Sequence, residues 1–271
     1  MNLDLHLHST ASDGKLDPAA VVDAAIEGGL DVIALTDHDT VAGIAAARTA
    51  SQGRNLDLIT GIEVSSNWDG SEVHILGYFI DPDHPSMQGH GDRARERRAT
   101  RLRAMVERLR DQGVDVSFDA VLEQAGPDAV SLGRPHLARE LERRGFVESV
   151  PEAFERFIGN DHPAYVSTDL LTPEEAIELI HSAGGVALWA HPSRADFDDR
   201  LRALVRHGLD GIEVFRPWNS TAWTLRLREA ARSHGLLVSG GSDWHGPDDG
   251  VLGEFRVSSE DIAGLLERGG F

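Results

Sequence analysis

Apolar positions along the chain fall into short continuous runs, separated by longer stretches in which they recur every three or four residues. Short runs bounded by turn formers predict buried strands, and the wider spacing predicts helices with one apolar face. Residues 3–7, 31–36, 56–64, 186–190, 211–215 and 236–240 are therefore expected as strands, and 73–79 as a strand beside a hairpin. Residues 18–27, 41–50, 173–182, 200–206 and 222–234 are expected as helices. The alternation favours βαβ units over an all-helical or all-β chain.

Between residues 93 and 165 the alternation stops, and helical patterns follow one another at 93–110, 117–124, 135–144 and 152–158. This stretch is read as a helical insert, which leaves 1–92 and 166–271 as the two parts of one barrel. A chain of 271 residues is long enough to bury the core of such a barrel. No segment approaches the roughly 20 continuous apolar residues that span a bilayer. Neither a basic leader nor a long apolar stretch opens the sequence, so a cytoplasmic location is expected.

Cysteine is absent, so any metal site must use nitrogen and oxygen ligands. The formal charge of −19 argues against stable binding to duplex nucleic acid or to an anionic membrane. It leaves room for a small anionic substrate, because bound cations reverse the potential inside a site.

Candidate ligands gather just after the apolar runs. His6 and His8 alternate along an extended segment and so share a side, and Asp13 follows in the next turn. Thr36-Asp37-His38-Asp39 ends the second strand, Glu63 the third, His191 the run at 186–190, and Asp243 and His245 follow the run at 236–240; His74 sits in the hairpin. Packing gives no reason for acids and imidazoles where turn formers are the rule. One tetrahedral ion needs about four ligands. The set His6, His8, Asp13, His38, Glu63, His74, His191, Asp243 and His245 therefore points to two or three divalent ions bridged by a carboxylate. Mixed imidazole and carboxylate ligands suit zinc, manganese or iron and disfavour calcium and copper.

These pieces resemble the PHP (polymerase and histidinol phosphatase) family of metal-dependent phosphoesterases. The matching segments are Asp4-Leu5-His6-Leu7-His8-Ser9, Ser12-Asp13-Gly14, Leu35-Thr36-Asp37-His38-Asp39, Gly61-Ile62-Glu63, Val73-His74-Ile75-Leu76-Gly77, Ala190-His191-Pro192 and Gly241-Ser242-Asp243-Trp244-His245. Gly133-Arg134-Pro135-His136 and Ala164-Tyr165-Val166 are similar to the stand-alone branch of nucleoside 3′,5′-bisphosphate phosphatases and 5′-to-3′ ribonucleases. The resemblance implies a distorted (β/α)7 barrel, a trinuclear site with those nine residues as ligands, and a catalytic Asp37 acting beside them. Two close ions would turn a bridging water into hydroxide and offset the charge that grows on a phosphate ester.

For substrate, Arg134 is the leading phosphate contact, because its planar fork binds two oxygens at once; His136 and Arg194 are further candidates. Arg194, Lys15 and the arginine-rich stretch from Arg93 to Arg110 read first as solvated, with a place facing the site as the second reading for Arg194 and Lys15 and a groove for an oligonucleotide as the second reading for the stretch. Trp68, Trp218 and Trp223 read first as packing residues and second as platforms for a base. Gly159-Asn160-Asp161-His162 is less basic than the ribonuclease-type branch leads one to expect, and Ser193-Arg194-Ala195 replaces a more usual Gly-Arg-Tyr. The expected activity is hydrolysis of a nucleoside 3′,5′-bisphosphate or of the 5′ end of a short RNA. A histidinol-phosphate phosphatase and a non-catalytic metal-binding module are the alternative readings.

Overall fold

The structure, a computed structural model, describes residues 1–126 and 131–271. Residues 127–130, inside the stretch read as an insert, lie outside the description. Eight strands form one sheet among the described residues: β1 (Asn2–Leu7), β2 (Val32–Leu35), β3 (Asp57–Trp68), β4 (Ser71–Tyr78), β5 (Val186–Trp189), β6 (Gly211–Phe215), β7 (Leu237–Gly240) and β8 (Val257–Ser258). Their spatial order is β7-β6-β5-β4-β3-β2-β1-β8.

β1, β2 and β3 run parallel, as do β5, β6 and β7. β4 is antiparallel to both of its neighbours, because the hairpin after Trp68 returns the chain directly instead of through a helix. The chain just past β7 then reaches β1, where Asp243 N donates to His6 O at 2.9 Å and His8 N to Trp244 O at 3.0 Å. These bonds draw the two ends of the sheet together at the edge where the candidate ligands lie.

The crossovers are α1 (Pro18–Glu27), α2 (Ile44–Ser51), α7 (Pro173–Ser182), α8 (Phe197–Arg206) and α9 (Thr221–His234). α1 starts cleanly because Asp17 accepts from Ala20 N and Pro18 needs no donor in the first turn. Leu3, Leu5, Val32, Ala34, Ile59, Leu76 and Leu188 share one apolar cluster inside the barrel. Tyr78 crosses that interior from β4, and its hydroxyl donates to Leu5 O at 2.9 Å. The short antiparallel β8 and the terminal helix α10 (Ala263–Gly269) close this cluster with Val257, Leu265 and Leu266. Neither element is among those expected from sequence, since both are too short to show a period.

Between β4 and α7 lie α3 (Pro85–Asp111), α4 (Phe118–Ala125), α5 (Arg134–Arg143) and α6 (Val150–Ala153), followed by a π-turn at Phe154–Ile158. α3 begins eight residues before the helical pattern at 93, with Pro85 in its first turn and His84 capping Ser86 N. The helices have an apolar cluster of their own, from Leu102, Met105 and Leu109 to Leu137, Leu141 and Ile158. No helix of the described residues is long and apolar enough to cross a membrane.

Glu140 on α5 is buried, and its two oxygens accept from Arg143 Nε and Nη2 at 2.7 and 2.9 Å and from Arg144 Nε at 2.7 Å. Burial opposes the charge, but the two guanidiniums hold its carboxyl below the usual range. A depressed folded-state pKa gives stability that is present above the unfolded value and lost as pH falls through the folded one. Glu140→Gln is therefore expected to lower stability at pH 7 by about 1 kcal/mol. Urea midpoints across a pH series check this, with the gap closing below the ordinary glutamate range of about pH 4.

Candidate metal centre

Most candidate ligands reach the centre from a strand end or the loop behind it, but Glu63 and His74 lie within β3 and β4, because β3 runs on to Trp68 instead of ending near Glu63 and pairs there with β4. His6 is on β1 and His8 just past it; both are fully buried, as is Glu63 on β3. Between Asp4 and Leu7 the register of β1 on β2 shifts. Gly241 then lies so close that a Cβ there would meet His6 Cβ at 2.3 Å and His6 N at 2.5 Å. Only glycine lets the chain after β7 pass His6 at that distance. Three of the neighbouring residues, Asp39, His191 and Asp243, hold left-handed backbone with φ of 55°, 70° and 61°. Such residues carry a local cost of about 1–2 kcal/mol each, which surrounding structure must offset.

Glu63 is the hub. Its Oε2 lies 3.3 Å from His6 Nε2, 3.3 Å from His8 Nε2 and 3.1 Å from His38 Nδ1. Its Oε1 lies 2.8 Å from His74 Nδ1 and 2.9 Å from His191 Nε2. Asp243 Oδ1 is 3.4 Å from His6 Nε2 and 3.3 Å from His8 Nε2. On the far side of His8, Asp13 Oδ1 meets His245 Nε2 at 3.3 Å, and its Oδ2 lies 3.9 Å from His38 Nε2. Three sets converge closely enough to hold a cation each: His6, His8, Glu63 and Asp243; His38, Glu63 and His74; and His8, Asp13, His38 and His245. His8 and His38 offer a different nitrogen to each of two sets, so the sets overlap.

The chemistry of the donors fits cations. His6 Nε2, both nitrogens of His8, His38 Nδ1 and Glu63 Oε2 are buried without any hydrogen-bond partner. Leaving such atoms unpaired costs several kcal/mol in aggregate, and a coordinated cation removes that cost. The field has the same sign. Burial works against ionised Glu63, yet His38, His74 and His6 hold it well below the usual carboxylate range. Burial lowers His245, but Asp13 and Asp243 outweigh it and push the ring up to about 10. Burial wins at His38, which falls to about 4. Carboxylates that hold protons on imidazoles favour divalent cations for the same reason, and the two compete for the same nitrogens.

Several supporting residues lie outside the expected set. Glu213 Oε1 sits 2.9 Å from His6 Nδ1, and as a carboxylate it accepts, which fixes the tautomer and leaves Nε2 facing the centre. A glutamate in the middle of the apolar run at 211–215 was the visible signal. Asp4 accepts from Ser242 N at 2.8 Å, and burial pushes it up to about 7. Arg216 Nη2 donates to Asp243 Oδ2 at 2.7 Å. Asp39 accepts from Arg98 Nε at 2.8 Å, from Ser65 N at 2.9 Å and from His90 Nε2 at 3.1 Å. That network pins the loop of His38 to helix α3.

Asp37 is buried beside the centre, where it accepts from Ser9 N, Ser9 Oγ and Ser12 Oγ, each at 2.7 Å. Arg134 lies further out, 3.6 Å from Glu72 Oε2, with Nη1 donating to Asn160 Oδ1 at 2.7 Å. Glu72 Oε1 is in turn 3.3 Å from His74 Nε2. His136 is buried, and its Nδ1 accepts from Gly133 N at 3.0 Å to cap α5. Arg194 is turned away to Ser220 Oγ and stacks over Trp223, which itself packs on Phe197. Trp68 packs against the barrel's outer core, and Trp218 stands 80% exposed. Trp218, Lys15, Arg139 and Arg216 line a cavity of about 890 Å³ that opens beside Asp243 and His245.

A β/α barrel whose strand ends bring imidazoles and acids into overlapping cation sets defines a metal-dependent hydrolase. The PHP domain profile matches residues 4–128. The chain is 38% identical over 251 residues, 90% of its length, to a 5′-3′ exoribonuclease of Salmonella typhimurium, 85% of which is covered. It is 36% identical over 255 residues, 92% of its length, to a 3′,5′-nucleoside bisphosphate phosphatase of Chromobacterium violaceum, 89% of which is covered. A solved structure assigned as a metal-dependent phosphoesterase of Bifidobacterium adolescentis superposes with a TM-score of 0.89 at 35% identity, covering 98% of this chain and 96% of that one. The chain belongs to the PHP family of metal-dependent phosphoesterases.

Removing Arg98 leaves the buried Asp39 carboxylate without its cation, which costs about 3–5 kcal/mol when a buried pair is broken. Arg98→Met is expected to lower the urea midpoint accordingly, and Asp39→Asn in the same background to recover part of the loss.

Proposed function

We propose that this chain hydrolyses a phosphate ester of a nucleotide, a nucleoside 3′,5′-bisphosphate or the 5′ end of a short RNA, at a centre of two to three divalent cations, manganese, iron or zinc. In this reading His6, His8, Asp13, His38, Glu63, His74, His191, Asp243 and His245 are the ligands, and the cytoplasm is the place of action. The observation that carries it is Glu63, a buried carboxylate whose two oxygens face two different sets of imidazoles. The exoribonuclease and the bisphosphate phosphatase that resemble the chain both act on nucleotide phosphates, which supports the substrate class.

Bound divalent cations supply Lewis acidity toward a phosphate oxygen and lower the pKa of an attacking water. The chain's own residues set the geometry. Glu213 orients His6, Arg216 holds one oxygen of Asp243 and leaves the other facing His6 and His8, and Asp37 fixes the Ser9–Ser12 turn from which Asp13 reaches inward. The cavity beside Asp243 and His245 has room for a nucleotide; Arg139 and Lys15, the latter paired with Asp248, line it where a phosphate would lie, and Trp218 is at hand for a base. Arg134 supplies a further phosphate contact from the other side, where Tyr165 and Phe154 pack against its guanidinium. His136 serves it indirectly by starting α5 at Arg134, and Arg194 is engaged with Ser220.

His6→Ala and Glu63→Ala are expected to cut turnover of adenosine 3′,5′-bisphosphate and of a 5′-phosphorylated RNA by about a thousandfold or more while the circular dichroism spectrum stays native. A variant with wild-type turnover contradicts the reading.

A further inference from the structure

The arginine-rich helix α3 is not used by the centre except through Arg98. In a chain with 26 basic and 45 acidic residues, solvated arginines are expected to find acid partners. Arg93, Arg97 and the buried Arg101 do not: like the other arginines of α3 apart from Arg98, none lies within 4.0 Å of a carboxylate among the described residues, whereas Arg98 pairs with Asp39.

The three recur at every fourth position, so they stack along one face about 6 Å apart. With Glu96, Thr100 and the Val166–Asp169 segment they line a groove of about 440 Å³. Arg97 Nε is buried without a partner. Arg101 Nε donates to Val166 O at 2.7 Å, which fixes the guanidinium at the groove's edge.

The groove runs toward the centre. Arg101 and Arg134 both lie over the ring of Tyr165, at 5.3 and 5.5 Å from its centroid. Arg134 is 3.6 Å from Glu72, and Glu72 is 3.3 Å from His74. A row of guanidiniums, Arg93, Arg97, Arg101 and Arg134, thus ends at Glu72, which adjoins the candidate ligand His74. Phosphates strung along a single strand meet such a row one after another, and a mononucleotide reaches only its inner end.

We infer that the α3 groove is a binding track for the downstream phosphates of a single-stranded oligoribonucleotide whose 5′ end is held at the metal centre. The inference rests on the proposed phosphoesterase function and sharpens it, since it makes an oligonucleotide a better substrate than a nucleoside bisphosphate.

The test compares wild type with Arg93→Gln/Arg97→Gln on adenosine 3′,5′-bisphosphate and on 5′-phosphorylated oligoadenylates from dinucleotide to hexanucleotide, at low and high salt. Wild-type kcat/KM is expected to rise at least about fivefold with length and to fall steeply with salt. The double variant is expected to lose that rise, to lower the salt slope by about 1.4, near 0.7 for each phosphate contact removed, and to keep its rate on the bisphosphate within about twofold. A flat length profile in the wild type, or an unchanged one in the variant, overturns the track. Failure of wild type to hydrolyse either substrate class would instead sink the phosphoesterase reading.

Discussion

A single buried carboxylate sets the terms for this molecule. Glu63 is sealed from solvent in the barrel mouth, and an isolated charge there is too costly to keep. It stays ionised only because imidazoles from β1, β4, the second crossover and the loop after β5 crowd around it. Each of its oxygens serves a different group of rings, so the centre cannot be reduced to one site without leaving an oxygen or a nitrogen unpaired.

The fold is organised to bring those rings to it. Parallel strands deliver their following loops to one edge, as barrels do for active sites generally. The return of the chain past β7 onto β1, permitted by the bare backbone of Gly241, adds Asp243 and His245. Left-handed backbone at Asp39, His191 and Asp243 lies in the same loops. Support comes from further out: Glu213 under His6, Arg216 against Asp243, and Arg98 of α3 against Asp39. Through that last pair the helical stretch between β4 and α7 is tied to the loop carrying His38.

Much of this was legible in the sequence because it obeys local rules. The strands at 3–7 and 211–215 and the helices at 18–27 and 173–182 match their elements to within a residue, since apolar period and Pro or Asp at the start signal them directly. His6, His8, Glu63 and Asp243, singled out because acids and imidazoles in or just after apolar runs have no packing reason, come together in one set. What stayed hidden depends on distant contacts. The antiparallel setting of β4 is decided by pairing partners on both sides, and β8 is too short to carry a pattern. Arg98 looked no different from the arginines around it until the fold placed Asp39 opposite. His136 was legible as a chemical group but not as a cap, because its partner is its own helix start.

The most direct test of the centre is the metal content of purified protein, measured by elemental analysis beside Glu63→Ala with native circular dichroism required of both. The account predicts more than one divalent cation per wild-type chain and a loss of more than one on removing Glu63, because its two oxygens face separate ligand groups. A single tightly held cation in the wild type, or an undiminished complement in the variant, would contradict it.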